Sequence, residues 1–251
     1  MSIEQILTIL VVGLFSIVQS IFGIGLLVFG TPTLLLMGYG YLEVLGILAP
    51  ASFVISIVQV GTNFKRVKNV SAALYWLCLP FIGFGLWISQ INTISHFLNI
   101  LVGSVLGISA ILRVSPITNS KMPGFVIRHS TPYHLLMGLV HGLTNLGGSL
   151  LIILASCLSS SKEQIRFTVA YYYLLFSTVQ MALLVGMLGQ LEVILSNLYL
   201  AVISVSIYFL IGNRIFVRAS EPKFDKALSV LMAVYAILII FNLQFQSFSQ
   251  G

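Results

Sequence analysis

The apolar residues of this chain occur in long unbroken runs rather than in alternation with polar residues. Residues 5–42, 44–64, 69–112, 129–161, 167–191, 193–213 and 227–251 contain no Asp, Glu, Lys or Arg. Each run is at least as long as the roughly 20 residues that an α-helix needs to cross a bilayer. A membrane β-barrel would instead show apolar residues at every second position. The pattern therefore predicts an all-α, polytopic membrane protein.

The polar connections between the runs predict where individual helices begin and end. We expect spanning helices over 45–63, 72–89, 94–112, 167–188, 192–212 and 227–245. Residues 132–158 are too short for two full crossings, yet both flanking loops are basic, which favours a re-entrant hairpin of two half-helices. As one helix, residues 3–36 would be about 51 Å long, so a bent hairpin is expected there too. A single long, tilted helix with a cytoplasmic N-terminus is the alternative.

Composition and charge agree with a membrane location and suggest a topology. Only 7% of the residues are charged, whereas about 25% is usual in soluble domains. The positive-inside rule places basic loops in the cytoplasm, and both termini are then predicted outside. All twelve Lys and Arg fall in four clusters: Lys65, Arg66 and Lys68; Arg113, Lys121 and Arg128; Lys162 and Arg166; and Arg214, Arg218, Lys223 and Lys226. Because these residues are dispersed in short loops, no nucleic-acid partner is expected.

An internal repeat relates the two halves of the chain. VQSIFGIGLLV at 18–28 aligns without gaps to VHGLTNLGGSL at 140–150, and SIVQ at 56–59 aligns to STVQ at 177–180. The two offsets, 122 and 121 residues, nearly agree. We interpret 1–112 and 132–251 as inverted repeats joined by a cytoplasmic linker over 113–131. Each repeat has a broken hairpin followed by three helices, an architecture typical of secondary transporters.

The glycine-rich breaks in the two hairpins are the candidate site for an anion. Unwound backbone inside a membrane is tolerated where it lines a cavity, and helix N-termini there attract negative charge. Neutral Gln, Asn, Ser and Thr side chains add donors, although such residues also simply hold membrane helices together. His141 is either a proton carrier or a buried neutral histidine. The candidates are Gln19, Ser20, Gly23, Gly25, Ser56, Gln59, His141, Thr144, Asn145, Gly147, Gly148, Ser177 and Gln180.

Several kinds of chemistry have no support in the sequence. No Asp or Glu falls in the middle of a predicted membrane segment, which argues against a cation substrate. Cys78 and Cys157 are not paired in a C-x-x-C motif, and no nucleophile–base set is evident. We therefore expect neither enzymatic activity nor a bound metal or cofactor.

Three stretches resemble a known family. QSIFGIGLLVFGTPTLLL followed by NFKRVKNV is similar to the first half of the sulfite exporter TauE/SafE family. GLVHGLTNLGGSLLIILAS followed by KEQIRFTVAYYY resembles its second half, and GNRIFVR resembles the basic segment before its last helix. The family's first motif usually has more glycine, whereas Leu26 and Leu27 follow Gly25 here.

The resemblance implies a multi-pass plasma-membrane protein that moves small anions such as sulfite or sulfonates, often outward. Together with the breaks, it favours a secondary transporter that works by alternating access. An anion channel and a non-transporting membrane assembly or scaffold protein are the alternatives. The expected partners are a small anionic substrate and the lipid bilayer.

Overall fold

The fold was described from a computed structural model of the 251-residue chain. The described residues are 2–62, 71–91, 97–114 and 123–220, together with ten residues between 223 and 238. They form helices and connecting turns, without a β-strand among them. The basic loop at 65–68, the residue Lys121 and most of the predicted last helix, 227–245, lie outside the described residues.

The helices follow the predicted order. They are α1 Ile3–Phe22, α2 Leu26–Leu36, α3 Tyr41–Gly61, α4 Leu74–Ser89, α5 Leu98–Val114, α6 Ser130–Thr144, α7 Gly147–Leu158, α8 Lys162–Gly186, α9 Leu191–Ser196 and α10 Leu198–Arg218. Among the described residues, α1, α3, α8 and α10 are long and apolar enough to cross a membrane. The all-α class and the membrane character predicted from the sequence are thus confirmed.

Residues 3–36 fold back on themselves at Gly23. A capping box at Ser2 and Gln5 starts α1, and Gly23 ends it with a left-handed φ of 80°. The rings of Phe15 and Phe29 then lie 5.9 Å apart, so α2 returns alongside α1. The alternative of one continuous helix over 3–36 is therefore wrong.

The second hairpin, α6 and α7, is built in the same way. Asn145 ends α6 with a left-handed φ of 61°, and α7 begins two residues later at Gly147. The hydroxyl of Tyr133 on α6 donates to the carbonyl oxygen of Leu150 on α7 at 2.7 Å. The two arms are therefore antiparallel and in contact.

Three helices contain a π-helical turn. The turns span Leu26–Gly30 in α2, Leu74–Cys78 in α4 and Tyr208–Gly212 in α10. Pro32 and Pro80 follow the first two turns, and a proline cannot donate a backbone hydrogen bond to the preceding turn. Such turns widen a helix locally and change which side chains share a face.

Glycines allow two pairs of helices to pack at very short range. On α6, a side chain at Gly138 or Gly142 would collide with the carbonyl oxygens of Cys78 and Ile82 on α4. On α10, a side chain at Gly212 would collide with Ser20 on α1. Small residues at helix contacts let membrane helices approach closely and gain van der Waals packing.

Two predicted helices have clearly different bounds in the structure, and one of them, α8, begins at Lys162 rather than at residue 167. The segment predicted as 192–212 is interrupted at Asn197, where α9 ends and α10 begins, and α10 continues to Arg218. Arg214 and Arg218, expected in a loop, therefore lie in the last turns of α10. Both side chains are exposed.

Candidate functional site

Both hairpin breaks begin with a left-handed residue, at positions that align in the sequence. Gly23 donates its N–H to the carbonyl oxygen of Gln19 at 2.8 Å, and Asn145 donates to His141 at 2.7 Å. Gly23 and Asn145 both have positive φ. We call residues 23–25 the first break and residues 145–146 the second break.

Gln19 ties the first break to α3. Its side-chain oxygen accepts from the backbone N–H of Leu26 at 3.2 Å, which holds the start of α2. Its side-chain nitrogen donates to the hydroxyl of Ser52 at 2.9 Å and lies 3.5 Å from that of Ser56. Both ends of this amide are therefore used within the protein.

Gln59 supports the carbonyl end of α1. Its side-chain nitrogen lies 3.1 Å from the carbonyl oxygen of Gln19 and 3.2 Å from that of Ser20. The last carbonyls of a helix have no partner within it, so a buried donor here stabilises the helix end. Gly25 is needed beside it, because a side chain at this position would collide with the backbone of Phe15 and Gln19.

Arg166 is a site residue that the sequence interpretation missed. The sequence predicts a cytoplasmic basic loop at this position, but Arg166 lies within α8 and is only 6% exposed. Its guanidinium donates to the carbonyl oxygen of Ser20 at 3.1 Å and to Oδ1 of Asn213 at 3.2 Å. It also lies 3.4 Å from the centre of the Phe216 ring. Arg166 thus joins the first break to α10.

Lys162 lies one helical turn before Arg166 and is buried as well. Its ammonium donates to the carbonyl oxygens of Phe216 and Ala219 at the end of α10. A cation at the C-terminus of a helix is favourable because the last carbonyls carry partial negative charge. The four-residue spacing of Lys162 and Arg166 was the available signal, because it places both on one face of a helix.

Asn145 connects the second break to the first hairpin. Its side-chain nitrogen donates to the hydroxyl of Thr31 on α2 at 2.8 Å. Its side-chain oxygen accepts from the side-chain nitrogen of Gln180 on α8 at 2.9 Å. One buried amide therefore links both hairpins and α8.

A buried polar cluster lies beside the second break. We define the polar cluster as His141, Tyr173, Ser177 and Gln180, all of which are fully buried. The rings of His141 and Tyr173 are 6.3 Å apart. A side chain at Gly148, in the first turn of α7, would collide with the hydroxyl of Tyr173, so only glycine fits at this position. Gly147 likewise leaves room for the side chain of His141.

The hydroxyl groups of the remaining two predicted residues form hydrogen bonds with nearby backbone atoms of the same segment. Ser20 donates to the carbonyl oxygen of Ser16 on its own helix at 2.6 Å. Thr144 donates to Val140 at 2.7 Å and accepts from the backbone N–H of Leu146 at 3.2 Å. These two hydroxyls therefore shape the breaks locally.

The structure brings the other predicted residues together in two groups. The group at the first break is Gly23, Gly25, Gln19, Ser56 and Gln59. The group at the second break is Asn145, Gly147, Gly148, His141, Ser177 and Gln180.

A cavity of about 650 Å³ opens at the end of the bundle that carries the short acidic and uncharged connections. Glu43 and Gln90 line it, together with Tyr41, whose hydroxyl donates to the carbonyl oxygen of Gly142 at 2.9 Å. Within the described part of the chain, no three His, Cys, Asp or Glu side chains meet in a way that would hold a metal ion.

The helical fold and the apolar exterior define a polytopic membrane protein. The family model described as Sulfite exporter TauE/SafE matches residues 7–239. The chain therefore belongs to the sulfite exporter TauE/SafE family of membrane transporters, which confirms the resemblance seen in the sequence. Neither the curated proteins nor the solved structures gave a match.

Proposed function

We propose that the protein is a secondary transporter that moves a small anion, such as sulfite or an organosulfonate, outward across the plasma membrane. The observation that carries the proposal is the hydrogen bond between Asn145 and Thr31, which joins the two broken hairpins in the protein interior. Family membership supports an anion of the sulfite type. Chain breaks in transporters of this architecture commonly form the substrate site.

The chemistry around the breaks suits an anion. Helix N-termini carry partial positive charge, and the first amides of α7 lie at the second break. The hydroxyl of Thr31 and the amides of Asn145 and Gln180 lie at that point, and Glu43 lines the cavity at the end of the bundle. The proposed substrate-binding residues are those predicted from the sequence: Gln19, Ser20, Gly23, Gly25, Ser56, Gln59, His141, Thr144, Asn145, Gly147, Gly148, Ser177 and Gln180.

The inverted-repeat arrangement and alternating access form part of the same proposal. In support, the equivalent helices α3 and α8 pack on each other. The contact of α4 with α6 also has a counterpart in the contact of α10 with α1. The left-handed residues Gly23 and Asn145 also occupy aligned positions. Basic loops in the cytoplasm and both termini outside complete the proposed topology.

Transport by the purified protein in liposomes tests the proposal. We expect saturable uptake of sulfite or sulfoacetate that is accelerated when unlabelled anion is loaded on the opposite side, and little flux of chloride. Asn145→Ala should lower the rate, whereas Ser206→Ala, an exposed position on α10, should not.

Two outcomes would contradict the proposal. Flux that neither saturates nor responds to anion on the opposite side would indicate a channel. Failure of every oxyanion to cross, with the protein correctly folded, would favour an assembly or scaffold role.

A further inference from the structure

Four buried side chains beside the second break have polar atoms that the protein itself does not use. They are both ring nitrogens of His141, the hydroxyls of Tyr173 and Ser177, and the side-chain oxygen of Gln180. None forms a hydrogen bond of good geometry among the described residues, although Gln180 lies within reach of His141, and all four side chains are 0% exposed. A buried polar atom without a partner costs stability, so a group of them calls for an explanation.

The side chains of His141 and Tyr173 reach the start of α7, beside Gly147 and Gly148. Tyr173, Ser177 and Gln180 are spaced by four and three residues, which places them on one face of α8. The ring of His141 packs 4.5 Å from that of Phe176 on the same helix. The Tyr173 hydroxyl reaches the space beside Gly148, where the first amides of α7 lack partners within the helix.

At the first break, the amide of Gln19 and the buried cations nearby are engaged in the fold. Gln19 uses both ends of its amide, on Leu26 and on Ser52. The buried cations Lys162 and Arg166 are also engaged, since they bind carbonyl oxygens of Phe216 and Ser20. The unpartnered atoms of the polar cluster lie beside the second break.

We propose that His141, Tyr173, Ser177 and Gln180 bind, with the first turn of α7, a singly charged oxyanion that carries its own proton, such as hydrogen sulfite. The inference rests on the proposed function and specifies the form of the substrate. It also adds Tyr173 to the residues that contact the anion.

The donors and acceptors of the polar cluster favour this form of the anion. The two hydroxyls and the α7 amides donate to negatively charged oxygens. The nitrogen of Gln180 is engaged with Asn145, and its side chain lies within hydrogen-bonding reach of His141. A neutral imidazole that donates to the Gln180 oxygen keeps its other ring nitrogen as an acceptor, which needs a donor from the ligand. Hydrogen sulfite supplies an O–H to this acceptor, whereas sulfate and methanesulfonate at the same pH have none to give.

We assign a single negative charge to the bound anion because the polar cluster contains no cationic side chain. Neutral dipoles offset the desolvation of one charge far more readily than that of two. A doubly charged anion would need a basic partner, and the buried basic side chains of the described chain are held at the end of α10.

Competition in proteoliposomes tests the inference. At one mildly acidic pH, uptake of labelled sulfite is measured against unlabelled hydrogen sulfite, methanesulfonate and sulfate. We expect hydrogen sulfite to compete best and sulfate worst. Equal competition by methanesulfonate or sulfate would overturn the inference while leaving anion transport, and so the proposed function, intact. Absence of any oxyanion flux would instead refute the proposed function.

Two conservative variants test the residues. Tyr173→Phe and Ser177→Ala each remove one hydroxyl, and each should raise the KM for hydrogen sulfite about tenfold, the loss of one hydrogen bond to a charged group. The matched controls are Tyr171→Phe, whose hydroxyl bonds to that of Tyr75, and Thr178→Ala, whose hydroxyl bonds within its own helix. Neither control should change the KM.

Thermal stability separates binding from a structural role. Because the Tyr173 hydroxyl has no partner among the described residues, Tyr173→Phe should leave the Tm of the empty protein unchanged or raise it, and should abolish the rise in Tm caused by hydrogen sulfite. A lower Tm for the empty variant, or an unchanged KM in both variants, would overturn the inference.

Discussion

The guanidinium of Arg166 donates a 3.1 Å hydrogen bond to the backbone carbonyl oxygen of Ser20, at the end of α1. Removing this side chain should leave a buried carbonyl without its charged donor and should also remove the contact with Phe216. We expect Arg166→Gln to lower the free energy of unfolding by about 1.5–3 kcal/mol. Thermal unfolding in detergent measures the change.

An exposed arginine provides the control for this prediction. Arg218 lies at the end of α10 with its side chain exposed. Because exposed charges contribute little to stability, Arg218→Gln should shift the free energy of unfolding by no more than about 0.5 kcal/mol. Equal losses in both variants would contradict a specific role for Arg166.

Gly23 should not tolerate a side chain. It has a φ of 80°, and a Cβ atom there would lie 3.0 Å from Cβ of Val169. Gly23→Ala is expected to cost about 1–2 kcal/mol from the left-handed backbone alone, plus the crowding against α8. The fraction of protein that stays monodisperse after heating measures the loss.

A glycine-to-alanine substitution at a position without close neighbours should not lower the stability. Gly61 lies at the end of α3, where a Cβ atom would meet nothing within 4 Å, so Gly61→Ala introduces no collision. It should leave stability unchanged or raise it by about 0.5–1 kcal/mol, because alanine favours the helix. A large loss at Gly61 would show that glycine matters there for another reason.

The contact between α4 and α6 should depend on Gly138. A Cβ atom at this position would collide with the carbonyl oxygen of Cys78, so the two helices would have to move apart. Gly138→Ala should therefore destabilise the protein by about 1–3 kcal/mol or more. Gly83→Ala on α4 is the control, since its Cβ would make an ordinary contact 3.5 Å from Leu183.

Asn145 combines a left-handed backbone with two hydrogen bonds, and two substitutions separate these roles. Asn145→Gly keeps the backbone conformation but removes the bonds to Thr31 and Gln180, each worth about 0.5–1.5 kcal/mol. Asn145→Asp keeps an acceptor for Gln180 but buries a charge, so it should be worse. Initial transport rates and Tm are the measurements; a harmless Asn145→Asp would contradict the assigned contacts.

Much of the fold followed from patterns that are local in the sequence. Long charge-free runs predicted the helices, and the alignment of Gly23 with Asn145 pointed to the two positions where the chain reverses. The bounds of α10 were missed because the charges of Arg214 and Arg218 favour a loop in a sequence pattern, whereas the exposed end of a helix accommodates charge equally well.

The composition of the site was harder to predict, because it depends on contacts between helices. Arg166 has the sequence pattern of a cytoplasmic loop residue, since no local pattern reveals that Ser20 and Phe216 surround it. Tyr173 is one of three consecutive tyrosines, and only the packing of α8 against Gly148 distinguishes it from its two neighbours. Asn145, by contrast, stands out in the sequence because it interrupts an apolar segment beside glycines.

The glycine contacts of α6 with α4 and of α10 with α1 cross the boundary between the two sequence repeats. Gly142 brings the second hairpin against Ile82 of the first repeat, and Gly212 brings α10 of the second repeat against Ser20 of the first hairpin. Any motion that separated residues 1–112 from 132–251 would have to pull both contacts apart. In the proposed alternating-access cycle, we therefore expect each hairpin to move together with a helix from the other half of the chain.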